Sequence, residues 1–438
     1  MRITGAGRLI AATLAAGVLA GLGAVGFHYI ADYLDDVLFA WVDAQKASSR
    51  LPFVLIVPTA GLFLIGLFLQ KFPQSRIGGV REVVESLQHH RGIVPMVRML
   101  NVIMSGLVLA VGGSVGPEGP MVQLGALVGS QCGQFFRLSR RQLETLVRAG
   151  AAAGISSAFR SPAGGVLLTL EIFGARFNRD LTAVAIAAGI GYLVRTSILG
   201  DAYPFRPTVE LDALPTFTML VLVPLMGVLA AVAGHFFIWM FNRWKTVLPG
   251  SWPLWLRVTV GGAMVGTIGI WFPQVLSAGY STIRQGVAGE IGFELFVVLL
   301  LMKMLATSIT FGSGAVGGLF APTLVIGALF GGAFGYGVKA ILPGAIPQPA
   351  LFVLLGMVVM FGSIVKGYWS GLLMVADMSG AYHQLLLPGV IAGGISYLIS
   401  WELHDKSIFG MSLDPAGQAE EQRAERMDEP SVAARGSR

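Results

Sequence analysis

Gly112-Gly113-Ser114-Val115-Gly116-Pro117-Glu118-Gly119-Pro120 follows an apolar run at 96–113 and opens a glycine-rich segment at 120–132. Prolines sit well in a first helical turn, where the N–H would lack a partner anyway. The flanking glycines let backbone amides approach a ligand closely. A helix starting here presents open N–H donors and a partial positive charge, a ready anion site. Glu118 stands at that end. An ionisable residue at membrane depth costs roughly 3 kcal/mol on insertion scales and is functional by default. Its carboxylate can take the place of a permeant anion, and a proton would release it. The blander alternative is a capping carboxylate that only stabilises the helix.

Membrane depth follows from composition. The chain has 438 residues, 54% hydrophobic and 12% charged, with 59 glycines. Soluble domains carry about a quarter charged residues, so the solvent of this chain must largely be lipid. Apolar runs of spanning length recur from 9–31 through 385–401, and about 20 apolar residues cross a bilayer core. The shorter glycine-rich segments at 120–132 and 164–174 read as half-helices lining an internal site. Arg2 and Arg8 before the first run place the N-terminus in the cytoplasm. The net charge of +6 shows no clustering that would bind nucleic acid. The six histidines lack metal-ligand spacing, and Cys132 has no intrachain partner. No metal, cofactor or enzymatic chemistry is expected. The charged stretch 414–438 reads as a disordered cytosolic tail, too short for a regulatory domain.

An internal repeat doubles the opening motif. Residues 120–129 match 322–331 at one offset, sharing proline, two glycines, alanine and leucine. Gly165 through Glu171 resembles Gly371 through Asp377. Such repeats place a substrate site at their interface near the midplane. In the second copy, Gly312-Ser313-Gly314-Ala315-Val316-Gly317-Gly318-Leu319-Phe320-Ala321-Pro322 again puts glycines before a proline. The amides of Leu319 and Phe320 are expected to point at an anion. Several weak donors suit a halide better than one full positive charge, which would hold it too tightly to release. The plainer alternative is a glycine-rich packing corner.

These stretches closely resemble the CLC family of chloride channels and proton-coupled chloride transporters, bacterial type without CBS domains, over about residues 8–412. The Gly-x-Glu-Gly-Pro stretch reads Gly116 to Pro120, Gly-x-Phe-x-Pro reads Gly318 to Pro322, and a Gly-Tyr-Ser-Thr stretch begins at Gly279. The resemblance implies an all-α polytopic membrane protein of two inverted repeats, about 8–200 and 214–412, within a membrane domain at 1–413. It also implies a homodimer with one pore per subunit in a cell membrane. Gly78, Gly79, Gly116, Pro117, Gly119, Leu319, Phe320 and Phe409 are then the anion-binding positions, and Glu118 is the gate.

Departures from the family pattern follow. Gly78 stands where the family has a serine that contacts the central anion, and Phe409 where it has a tyrosine. Two side-chain donors are thereby missing, and preference for chloride over nitrate is left open. Pro117 removes one backbone donor beside the gate. Ile172 stands where transporters carry a glutamate that hands protons to the cytoplasm, with Glu171 just before it. An isoleucine cannot relay protons, so the first expectation is a passive chloride channel gated by Glu118. The alternative is a chloride/proton antiporter using the same glutamate, with Glu171 or water completing the proton path. Glu171 and Asp377 also fit structural hydrogen bonding. A third reading, an intramembrane hydrolase built on Ser313 and His383, needs a base within hydrogen-bond reach of the serine.

Overall fold

The computed structural model describes residues 5–44, 47–175, 179–208, 211, 214–346, 348–404 and 407–410. The tail expected at 414–438 lies outside them. The described residues form α-helices with no strand. Eight precede the stretch 200–217: α1 (Gly5–Ala44), α2 (Ala47–Lys71), α3 (Gly79–Gln88), α4 (Met99–Ala110), α5 (Glu118–Phe135), α6 (Arg140–Phe159), α7 (Pro162–Glu171) and α8 (Arg179–Leu199). Eight follow, again with a short third and seventh: α9 (Val223–Trp244), α10 (Leu254–Trp271), α11 (Tyr280–Ala288), α12 (Phe293–Gly312), α13 (Phe320–Ile341), α14 (Pro349–Val365), α15 (Tyr368–Ser379) and α16 (Tyr382–Leu403). The repeat seen at one motif thus extends over both halves.

Among the described residues, eight helices are long and apolar enough to cross a membrane, and Met96–Ala110 and Pro349–Val365 are shorter apolar helices. Large apolar side chains face outward, such as Leu64, Leu220 and Leu398 at 64%, 68% and 67% exposure. Lipid is the solvent that accepts such a surface. Local chemistry sets several helix ends. Ser139 and Gln142 form a capping box at the start of α6. Ser161 caps α7 by accepting from Gly164 N at 3.0 Å, with Pro162 in the first turn.

The packing repeats as well. α5 lies on α6, and α13 lies on α14. A Cβ added at Gly125 or Gly150 would strike the other's backbone, and one at Gly331 or Gly356 would strike the facing helix in the same way. The structure corrects one expectation here. The segments after Pro120 and Pro322 are not short half-helices: α5 has 18 residues and α13 has 22, and α13 reaches full spanning length. Their glycines are points of close approach between helices, not breaks.

Candidate anion pathway

α5 and α13 begin deep inside the protein, at Glu118 and Phe320, both essentially buried. The loops before them pair directly. Gly116 N donates to Gly318 O at 2.7 Å, and Gly318 N donates to Gly116 O at 3.0 Å. A Cβ on Gly119 would sit 2.7 Å from Gly318 Cα, so only glycine permits this approach. The Gly116 N–H is therefore engaged with the other repeat. Open N–H groups come instead from the first residues of the helices.

The Glu118 carboxylate crosses from its own repeat to the other. Its Oε2 accepts from Ala321 N at 3.3 Å, in the first turn of α13. Its Oε1 accepts from the Tyr280 hydroxyl. A carboxylate thus occupies the place at the α13 N-terminus that the sequence assigns to an anion. The sequence puts Leu319 and Phe320 there, but the amide that reaches the carboxylate is that of Ala321. Pro117 is the residue before α5 and lacks an N–H.

Tyr280 is the residue that sequence reasoning leaves without a role. It opens α11, and its ring packs on Phe205 at 5.5 Å. A tied-down loop fixes its position. Lys303, fully buried on α12, donates to Val275 O at 3.0 Å and to Ser277 O at 2.9 Å. Ser277, with φ 51°, donates through its hydroxyl to Leu109 O at 2.9 Å and through its N–H to Gly112 O at 3.3 Å. Lys303 therefore ties the loop before Tyr280 to α12, and Ser277 ties the same loop to the segment leading to Glu118.

Beside Arg81, Gly78, Gly79, Gly119, Leu319 and Phe409 line a narrow cavity of about 30 Å³. Gly79 N donates to Gln123 Oε1 at 2.8 Å, so this amide also has a protein partner. The Phe320 ring stacks on Phe361 at 5.6 Å, meets Phe159 edge-on at 5.8 Å and touches Phe409 at 4.9 Å. Phe320 and Phe409 thus belong to one cluster of aromatic rings.

The remaining sequence candidates sit elsewhere. Glu171 accepts from Trp369 N at 2.8 Å and Ser370 N at 3.0 Å, which caps the start of α15. Ile172, half-buried, packs at the edge of the core. Asp377 accepts from Ser161 and Tyr382, a structural role. The Ser313 hydroxyl donates to Thr310 O at 2.8 Å, a helix-end bond.

With this geometry in place, comparison with known proteins is informative. Residues 61–401 match the Voltage gated chloride channel family. The chain belongs to that family. A ClcB-like chloride channel protein of Ralstonia nicotianae is 32% identical over 82% of this chain and 85% of its own length. An H(+)/Cl(-) exchange transporter ClcA of Vibrio cholerae is 30% identical over 92% of this chain and 88% of its own. A slow cyanobacterial Cl-/H+ antiporter has the same fold, with TM-score 0.82 at 20% identity over 96% of this chain and 99% of that one. A CLC-type fluoride/proton antiporter superposes with TM-score 0.77 at 23% identity, over 92% of this chain and 96% of that one. The chain is a multi-pass membrane protein of an anion-transport family.

Proposed function

We propose that this chain exchanges a small inorganic anion, chloride foremost, for protons, with Glu118 both blocking the anion path and carrying the proton. One observation carries the reading: the Glu118 carboxylate accepts from Ala321 N at 3.3 Å, at the end of α13 where an anion would be held. An ionised carboxylate and a halide compete for the same donors. Protonation removes the charge, weakens both bonds and frees the seat. Relatives named H(+)/Cl(-) exchange transporters support exchange over the passive channel that Ile172 suggested.

On this reading the end of the path at Arg81 and Phe409 faces the cytoplasm and the protein works as a homodimer, each subunit with its own path. Ile172 cannot relay a proton, and Glu171 already holds two amides. Protons then reach Glu118 from the cytoplasm through water in the narrow cavity beside Gly79 and Phe409.

The test is flux in liposomes under an imposed chloride gradient. Wild type should drive protons uphill. Glu118→Gln, which mimics the protonated acid, should lose proton movement entirely while chloride flux persists. Wild-type chloride flux without proton movement would return the reading to a passive channel. Loss of chloride flux in a well-folded Glu118→Gln protein would remove Glu118 from the path.

A further inference from the structure

α6 ends on an uncommon residue for its backbone. Arg160 has φ 56° and ψ 30°, the left-handed conformation that a helix end usually gives to glycine or asparagine. The matching corner after α14 holds Lys366 at φ 66° and ψ 19°. The turn is thus common to both halves, but the use of the cation differs. Lys366 Nζ donates to Ser400 Oγ at 2.6 Å, on α16, and lies 4.9 Å from the centre of the Trp401 ring. Arg160 reaches instead to the stretch after α8 that joins the two halves. A large cation in a conformation better suited to glycine is kept for what its side chain does.

The buried Arg160 side chain clasps that stretch at two points. Its Nη2 donates to the Asp201 carboxylate and to Asp201 O, the latter at 3.3 Å. Its guanidinium lies 4.1 Å from the centre of the Tyr203 ring, within cation–π range. Its Nη1 donates to Asp377 O at 2.9 Å, in the last turn of α15. Two residues past Tyr203, Phe205 N donates to the next carbonyl of that turn, Met378 O, at 3.1 Å. Arg160 and Phe205 thus fasten the stretch 201–205 to the end of α15. Phe205 is buried, and its ring is the one that packs on Tyr280. It belongs to no helix, so no ladder of local backbone bonds fixes it. Its place depends on the fastenings at 201, 203 and 205.

We propose that Arg160 is a positioning residue of the gate: it clasps the stretch between the halves at Asp201 and Tyr203, so that Phe205 seats the Tyr280 ring and the Tyr280 hydroxyl stays on the Glu118 carboxylate. The hydroxyl stands at the far end of the ring, so a small tilt of the ring displaces it. A hydrogen bond weakens steeply with such a change of distance and angle. Releasing the clasp therefore loosens the hold on the ionised acid without touching the acid or its donors. The inference rests on Glu118 being the gate, not on proton coupling.

Anion flux in liposomes across a pH series tests it, with folding of each variant checked by thermal melting in detergent. Arg160→Gln should move half-maximal flux upward by about half a pH unit, less than Tyr280→Phe, because the hydroxyl is misplaced and not removed. Arg160→Lys, which keeps a cation over the Tyr203 ring, should recover part of the shift. Asp201→Asn should act in the same direction, and its 61% exposed side chain leaves the core intact where Arg160→Gln does not fold. Neither Arg160→Gln nor Asp201→Asn should add a shift in a Tyr280→Phe background. Amide hydrogen exchange over residues 201–206 should quicken in Asp201→Asn and keep its wild-type rate in Tyr280→Phe. An unmoved midpoint in folded Arg160→Gln or Asp201→Asn would overturn the role. A shift that persists undiminished without the Tyr280 hydroxyl would also overturn it. Glu118→Gln separates this failure from that of the gate: pH-dependent flux in that variant would remove the gate itself, whereas pH-independent flux beside unmoved Arg160 and Asp201 variants would sink only the clasp.

Discussion

Gly78 has φ −171° and ψ −168°, extended backbone that any residue adopts. Torsional freedom is therefore not the reason for glycine. The reason is Asn101, whose side chain fills the space into which a Cβ on Gly78 would project. Asn101 is itself fixed, with Nδ2 donating to Ser75 O at 2.8 Å. Restoring the family's serine alone should therefore destabilise the protein by about 1–3 kcal/mol, the usual range for overpacking. Adding Asn101→Ala should recover most of that loss and let the hydroxyl reach the pathway. Thermal melting in detergent checks the stability, and chloride against nitrate flux checks the function. The double variant should favour chloride more than wild type does. An undamaged single variant would mean that Asn101 moves aside freely. The departure at Gly78 was legible in the sequence. Its cause was not, because Asn101 lies on another helix and no spacing rule links the two.

At the scale of elements, α3 and the connection into α4 are joined by a buried acid. Glu82, 1% exposed at its side chain, lies 3.0 Å from Arg98 Nε, yet neither of its oxygens has an aligned hydrogen bond. Burial pushes the Glu82 carboxyl up to about 7, Arg98 opposes this, Glu85 adds to it and Arg81 again opposes it. The folded pKa lies above the unfolded one, so the folded state binds the proton more tightly. The stabilisation is full below the ordinary value of 4.5 and is lost as pH rises through about 7. At about 1.4 kcal/mol per pH unit, this amounts to a loss on the order of 3 kcal/mol across that window. Thermal midpoints measured from pH 4.5 to 8 should show Glu82→Gln with a flatter profile than wild type. Parallel profiles would mean that Arg98 keeps the acid ionised throughout. The starts of α5 and α13 could be read from sequence because a proline, two glycines and a glutamate or phenylalanine mark each. Their lengths could not, since glycines that seat one helix on another look like breaks until the facing helix is known.

Across the whole molecule, a carboxylate of the first half is held by donors of the second. Glu118 begins the fifth helix of the first half, and Tyr280 and Ala321, which donate to it, belong to the second. The motifs around Glu118 and Phe320 were visible as a repeat, but the parts played by Tyr280 and Lys303 were not. Their roles arise only when distant segments converge, with Lys303 holding the loop before Tyr280 and Ser277 tying that loop to Leu109. This convergence makes a prediction about the gate. Tyr280→Phe keeps the ring against Phe205 and removes only the hydroxyl. A hydrogen bond to a charged group contributes about 1.5–3 kcal/mol, and one pH unit corresponds to about 1.4 kcal/mol. Losing that donor weakens the hold on the ionised carboxylate, so the gate should release at a higher pH. Half-maximal anion flux should move upward by roughly one to two pH units in Tyr280→Phe, with proton coupling retained because Glu118 is intact. A similar upward shift in Lys303→Met would show that the brace acts through Tyr280. If Tyr280→Phe left the pH profile unchanged, the Tyr280 hydroxyl would not be holding the gate, and the loop from the second half would serve only to pack it.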